Sequence, residues 1–161
     1  MVAFGHTAVG ALIGVGAYQI FGNNLTIGLS AAITAGITSH YIADCIPHGH
    51  FFKSEEYKSK VKYAIIFDLL LSVFIFLAAS YLPNLNITKL VYTVFGIGAS
   101  QLPDVVDGLM YTDRLPIKGF FQKENKFHLS THWHGSLLMS VLDIWQLSVV
   151  LLSLYFVIIV R

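Results

Sequence analysis

The sequence predicts an all-α integral membrane protein, a single domain over residues 1–161 built as a bundle of five transmembrane helices. Hydrophobic residues make up 55% of the chain and charged residues 12%. A soluble domain has about 45–50% apolar and about 25% charged residues. The mean hydropathy is +0.68, and the apolar residues form stretches of about 20, the length that a helix needs to cross a bilayer. These observations argue against a soluble globular domain.

The predicted helices cover residues 2–21, 25–46, 61–82, 87–110 and 135–160. The first stretch lacks the Lys/Arg-rich start of a signal peptide, so we expect it to be a retained helix. The second carries Gly28, Ala32 and Gly36 four residues apart, a spacing typical of helices that pack closely in lipid. Pro47 is expected to end it, because proline cannot continue a helix. Short turns near residues 22 and 85 separate the first helix from the second and the third from the fourth, and the fifth follows a longer loop.

A weak internal repeat relates the second and fourth predicted helices, 60 residues apart. The matching positions are Gly36 with Gly96, Ile37 with Ile97, and Asp44 with Asp104. The repeat is the pattern expected if two helix pairs were duplicated in parallel. The fifth helix would then be an addition to these two pairs.

The distribution of positive charge predicts the orientation in the membrane. If the helices alternate in direction, the N-terminus and the loops over 47–60 and 111–134 lie on one side. That side and its helix ends hold eight of the ten Lys and Arg residues, and only Lys89 and Arg161 fall on the other. Positive charge is retained in the cytoplasm, so the N-terminus and both loops are expected to face the cytoplasm from the inner membrane. The net charge is +1 with no polybasic run, which argues against nucleic acid as a partner.

Histidine and aspartate side chains gather at the cytoplasmic ends of the five predicted helices. All seven histidines fall on this side. An ionised carboxylate inside a bilayer costs at least about 2.5 kcal/mol, so such groups need partners in the bundle interior. A shared metal centre meets this need, and the predicted ligands are His6, His40, Asp44, Asp68, Asp104, Asp107, His128 and His132.

The spacing of these residues supports a metal centre. His40 and Asp44 are four residues apart, and Asp104 and Asp107 three apart, so each pair shares one helix face. Mixed imidazole and carboxylate ligands favour zinc, with manganese or iron as alternatives. The eight candidates exceed the ligands of one ion, so we expect two ions. Two roles that need no metal stay open as well: a buried hydrogen-bonded pair at His40 and Asp44, and a helix N-cap at Asp104.

Several short motifs resemble the small membrane-bound metal-dependent hydrolases. They are His6 with the small residues after it, the stretch from His40 to His48, the Leu-Pro-Asp that ends at Asp104, and the Thr-His-Trp-His that ends at His134. The order of the motifs, the spacing of the acidic pair and the residues after His134 depart from the family pattern. His40-xxx-Asp44-xxx-His48 is also similar to the central ligand motif of the zinc-dependent phospholipase C and single-strand nuclease group. The resemblance implies metal-dependent hydrolysis of a phosphoester.

The expected function is therefore a membrane-embedded hydrolase at the cytoplasmic interface. Its substrate would be a phosphoester of a membrane lipid, or a lipid-like or small phosphorylated molecule. His48 and His134 are the candidate catalytic histidines, one of which would protonate the leaving group, and Arg114 is the candidate phosphate contact. A metal-ion transporter or a haem-binding membrane bundle would also use histidines between helices, and both remain as alternatives.

The predicted orientation can be tested with single cysteines at Ser54 and Asn125 in a Cys45→Ala background. Because both loops are expected inside the cell, a membrane-impermeant thiol reagent should leave both cysteines unlabelled in intact cells and label them after permeabilisation. A cysteine placed in the turn at Asn23 serves as the control that should react from outside. Labelling at Ser54 or Asn125 in intact cells would contradict the orientation.

Overall fold

The computed structural model describes residues 3–45, 66, 70–77, 86–111, 119, 122–123, 126–127, 130 and 139–159. The helices are α1 (Ala3–Phe21), α2 (Leu25–Cys45), α3, described over 70–77, α4 (Ile87–Tyr111) and α5 (Met139–Ile159). Within these ranges no strand is present, so the all-α prediction is confirmed for the described residues. The predicted cytoplasmic loop over 47–60 and most of that over 111–134 lie outside them.

Asparagine side chains begin two of the helices. Asn24 Oδ1 accepts the backbone N–H of Ile27 at 3.1 Å at the start of α2. Asn86 Oδ1 accepts the backbone N–H of Thr88 at 2.8 Å at the start of α4. Asparagine is a preferred N-cap because its side chain satisfies an N–H that has no partner inside the helix. The short turn before Asn24 therefore ends α1 and lets α2 run back beside it.

Helix α1 lies at the centre of the described structure and packs against α2, α4 and α5. The start of α1 at His6 contacts Ser100, just past the middle of α4, whereas its other end at Phe21 contacts Tyr92 in the first half of α4. Helix α4 is therefore antiparallel to α1 and parallel to α2, the direction that the sequence repeat predicts. On another face of α1, Phe4 and Ala8 form a hydrophobic cluster with Ile75 of α3 and Val150 of α5.

Helices α1 and α4 touch at their backbones through glycine residues. A Cβ atom added at Gly96 would lie against the carbonyl oxygen of Gly10 and only 2.8 Å from the backbone nitrogen of Gly14. A Cβ added at Gly14 would lie 2.6 Å from the Cα of Thr93. These positions have no room for a larger residue. Small residues allow such close approach, which increases the van der Waals contact between helices.

Tyr92 ties the other end of the bundle together. Its side chain is fully buried, and its hydroxyl lies 3.1 Å from the carbonyl oxygen of Phe21 and 3.2 Å from that of Asn24. The phenol proton is donated to this pair of carbonyls, which belong to the turn between α1 and α2. Tyr92 therefore holds that turn against α4.

Many large apolar side chains lie on the outside of the helices, and the buried face of α2 consists of small or polar residues. The buried residues of α2 are Gly28, Ala32, Gly36, His40, Ala43 and Asp44. Leu25, Ile27 and Ile42 of the same helix are more than half exposed. Among the described residues, Phe4–Phe21 and Leu25–Cys45 are the two helical stretches long and apolar enough to cross a membrane.

The glycine contact gives a prediction about stability. Gly96→Ala should destabilise the fold by about 1–3 kcal/mol, because the added Cβ meets the backbone of α1. Gly98→Ala is the matched control on α4, since a Cβ there has nothing within 4 Å. The control should be neutral or up to about 1 kcal/mol more stable, because alanine favours helix over glycine. Thermal unfolding in detergent, followed by circular dichroism, compares the two variants, and equal midpoints would contradict the contact.

Candidate metal centre

Three helices bring His6, His40 and Asp104 to one point. His6 lies near the start of α1, His40 near the end of α2, and Asp104 in the second half of α4. Each offers one ligand atom, and these atoms all lie within 4.8 Å of one another. Two imidazole nitrogens and a carboxylate oxygen are a ligand set found in zinc sites. This group could hold a metal ion.

Asp44 lies between the two histidines. Its Oδ1 is 3.2 Å from His6 Nε2, and its Oδ2 is 3.2 Å from His40 Nε2. All three side chains are about 99% buried or more. Asp44 and His40 share a face of α2 because they are four residues apart, whereas His6 arrives from α1. One carboxylate therefore joins the ligand atoms of two helices.

The orientation of the His40 ring follows from a hydrogen bond to the backbone. His40 Nδ1 lies 2.8 Å from the carbonyl oxygen of Ser100 in α4. A carbonyl oxygen accepts only, so Nδ1 carries the proton in this contact and donates it. In the neutral ring Nε2 then holds a lone pair. The His6 and His40 rings stack with their centroids 4.1 Å apart and their planes 23° from parallel.

Hydrogen-bond acceptors therefore converge on His40 Nε2. This nitrogen lies 3.2 Å from Asp44 Oδ2 and 3.7 Å from Asp104 Oδ1. Carboxylates held this close together are stabilised by positive charge among them, which a second proton on the ring or a cation would supply. For comparison, Zn–N and Zn–O bonds of about 2.0–2.2 Å place neighbouring ligand atoms of a tetrahedral site about 3.3–3.6 Å apart. The separations of 3.2 and 3.7 Å at His40 Nε2 lie near this range, and the ligand atoms of His6, His40 and Asp104 lie within 4.8 Å of one another.

The group is open on one side. His6, His40 and Asp44 are buried, but the side chain of Asp104 is 38% exposed. A structural zinc site is closed by four protein ligands, whereas a catalytic site keeps a position for water or substrate. Among the described residues, Asp104 lies at the accessible edge of the group.

Two polar contacts beside this group are not predicted by the sequence analysis. Ser100 Oγ lies 2.8 Å from the carbonyl oxygen of His6, and Gln101 Nε2 donates to Thr7 Oγ1 at 2.7 Å. Both contacts join α1 to α4 next to the ligands. Ser100 could have been found from the sequence, because it lies one turn before Asp104 on the same helix face.

The other predicted site residues are distributed as follows. Asp107 lies on α4 about one turn after Asp104, is partly exposed, and is not a member of the His6, His40 and Asp104 group. Six residues lie outside the described ranges: the predicted ligands Asp68, His128 and His132, and the predicted catalytic residues His48, His134 and Arg114. The structure therefore brings together four of the eight predicted ligands, counting Asp44.

Comparison with known proteins gives no relative: no family model matches this chain, and neither does any curated protein or solved structure. The function is accordingly inferred from the geometry of the chain's own side chains.

The ligand geometry predicts that single substitutions lower metal affinity. Replacing His40 or Asp104 with alanine should weaken zinc binding by about 100-fold or more. Loss of a residue that only hydrogen-bonds a metal ligand lowers metal affinity by about 10–100-fold, and loss of the ligand itself should lower it further. Thr38→Ala is the matched control on α2, since Thr38 is exposed and donates to the carbonyl of Thr34. Elemental analysis after dialysis against buffered zinc measures occupancy, and circular dichroism checks folding. Full occupancy in both ligand variants would exclude the site.

Proposed function

We propose that the chain is an integral membrane protein with five transmembrane helices and a cytoplasm-facing metal centre. The exposure of large apolar side chains on the outside of the helices supports this proposal. Only 22% of the apolar stretch Leu25–Cys45 is buried, which is unlike the core helix of a soluble protein. Leu151, Leu152 and Tyr155 of α5 are likewise more than half exposed. Such an apolar surface is stable in contact with lipid and would promote aggregation in water.

The convergence of acceptors at His40 carries the proposal of a metal. The ring, committed to the Ser100 carbonyl through Nδ1, presents Nε2 to two carboxylates. Donation of the non-ligating ring N–H to a backbone carbonyl is a usual way in which a protein orients a metal-binding histidine. Zinc is proposed first, with manganese or iron as alternatives, because the ligands are nitrogen and oxygen atoms. Two ions are proposed from the number of ligand-type residues in the sequence.

The open edge at Asp104 favours catalysis over a structural role. When bound, a divalent cation would activate water and polarise a phosphoryl oxygen. His6, His40 and Asp44 form the buried side that fixes the ligand geometry, and Asp104 lies where a substrate can approach. Rigid helices rather than loops carry all four side chains, which limits their movement during a reaction.

We further propose that the reaction is hydrolysis of a phosphoester in a lipid, a lipid-like molecule or a small phosphorylated molecule. The resemblance of the His40 to His48 motif to zinc-dependent phosphoesterases supports this reaction type. The position of the ligands at the helix ends supports an amphiphilic substrate, because lipid head groups lie at that level of a membrane. His48 and His134 are proposed for proton transfer to the leaving group, and Arg114 for contact with the phosphate.

The stacked histidines argue against the haem alternative for this pair. Two axial histidines of one haem approach the iron from opposite faces of the macrocycle. The His6 and His40 rings instead lie face to face with their centroids 4.1 Å apart, which leaves no space for a macrocycle between them. Transport of a metal ion remains the second candidate function. Hydrolysis of a substrate without net movement of metal across the membrane would distinguish the enzyme from the transporter.

The proposed activity can be tested with the full-length protein in detergent. Bis(p-nitrophenyl) phosphate and mixed phospholipid micelles should be hydrolysed with added zinc or manganese and not with a chelator. Asp44→Ala and Asp104→Ala should lower the rate by about 100-fold or more, because both remove an oxygen at the proposed ion. Thr38→Ala should retain the wild-type rate. If metal-loaded wild-type protein hydrolyses neither substrate but carries zinc into vesicles, the enzyme proposal is rejected in favour of the transporter.

A further inference from the structure

A helical segment between α4 and α5 contacts α2 beside the candidate metal centre. Its described helical residues are Gln122, Lys123, Lys126, Phe127 and Ser130. The Phe127 ring packs edge-on against Tyr41 of α2, with the ring centroids 5.0 Å apart. Tyr41 in turn packs edge-on against His40, with the centroids 5.5 Å apart. Two aromatic contacts therefore hold this segment at the level of the candidate ligands.

Local hydrogen bonds define the turns of this segment. The backbone N–H of Lys123 donates to the carbonyl oxygen of Gly119 at 3.3 Å, and Gly119 has a φ of 63°. Glycine adopts this left-handed conformation without steric cost. The Ser130 hydroxyl donates to the carbonyl oxygen of Phe127 at 2.7 Å. The hydroxyl proton of Ser130 is thus used inside the segment and is not offered to a ligand.

The remaining polar side chains of the described segment are hydrogen-bond donors on one side of it. Lys126 follows Gln122 by four residues and Lys123 by three, and side chains at these spacings are neighbours on a helix. All three residues are exposed. An ammonium group has three N–H donors and a carboxamide has two, whereas phosphate oxygens only accept. In the sequence from 119 to 130 the one carboxylate is Glu124, which lies outside the described residues. The described donors are complementary to a phosphate anion.

Exposed apolar side chains lie next to these donors. Phe127 is 54% exposed although it contacts Tyr41, and Ile42, the next residue of α2, is 59% exposed. Cationic side chains beside exposed apolar groups are typical of segments at a membrane interface. A free phosphate ion would bind the donors and leave the apolar groups in water. A phospholipid carries its phosphate and its acyl chains in one molecule, so it fits both kinds of group.

We propose that Gln122, Lys123 and Lys126 bind the phosphate of one anionic phospholipid. The lipid chains would lie against Phe127 and Ile42. Segments that are attracted to an anionic membrane surface as a whole carry about four to eight basic residues. The two lysines here are fewer, so the site holds one head group at short range. The proposal rests on the membrane location proposed above, and it needs no metal ion.

The test is lipid binding to the full-length, metal-free protein in a neutral detergent with chelator present. Native mass spectrometry during titration with phosphatidylglycerol or phosphatidylcholine gives the number of bound lipids and their affinities. Wild-type protein should bind one phosphatidylglycerol about tenfold or more tightly than phosphatidylcholine, whose choline group cancels the phosphate charge. Lys123→Gln combined with Lys126→Gln should weaken phosphatidylglycerol binding by about tenfold or more and leave phosphatidylcholine binding unchanged.

Two control proteins accompany this variant. Lys89→Gln removes a cation at the opposite end of α4 and should retain the wild-type affinity. Lys123→Arg combined with Lys126→Arg keeps both charges and should also retain it. Because Lys123 and Lys126 are exposed, all variants should fold, and circular dichroism checks this.

Three results would overturn the site: wild-type affinity for phosphatidylglycerol in the double Gln variant, equal affinity of wild-type protein for the two lipids, or displacement of the lipid by an equal concentration of inorganic phosphate. The last result would replace the lipid with a soluble phosphorylated ligand. Protein that stays soluble without detergent would instead reject the membrane location itself. Failure of this site and failure of the proposed function are therefore distinguishable.

Discussion

The backbone of α1 touches that of α4 at Gly10, Gly14 and Gly96, and the polar centre of the molecule depends on this contact. Without side chains between them, the two helices approach closely enough for Ser100 Oγ to reach the carbonyl of His6. A second close approach, with Gly36 of α2 against Ala99, brings His40 to the carbonyl of Ser100. The ligand geometry is therefore set by how near the backbones lie, and the side chains adapt to it.

This dependence determines which features could be predicted from the sequence. The helix type follows from the apolar stretches, and the direction of alternating helices places His6, His40 and Asp104 at the same end of the bundle. The four-residue spacing of His40 and Asp44 likewise predicts a shared face, and their contact is found. These features depend on local periodicity and chain direction, which a single sequence contains.

The remaining features depend on tertiary contacts that periodicity does not contain. The stacking of His6 on His40 and the position of Asp44 between them require the rotation of α1 relative to α2. His40 Nδ1 donates to a backbone carbonyl of α4. Every residue has a backbone carbonyl, so no sequence motif identifies the one that accepts this hydrogen bond. The repeat gives a partial signal, because its offset of 60 residues pairs His40 with Ser100, the residues in contact in parallel α2 and α4. At these matching positions, the first copy of the repeat supplies the His40 ring and the second copy supplies the Ser100 carbonyl that orients it.

Charge balance bears on what the group of His6, His40, Asp44 and Asp104 could hold. With both carboxylates ionised and both rings neutral, His6, His40, Asp44 and Asp104 carry two negative charges. A second proton on His40 would balance the buried Asp44 and leave the charge of Asp104, whose side chain is 38% exposed, whereas a divalent cation would cancel both. Lys89, the one described cation on α4, belongs to the opposite end of that helix, about ten residues or more from the Ser100 carbonyl. His40 Nε2 and the carboxylates of Asp44 and Asp104 lie close together, an arrangement that could hold a metal ion.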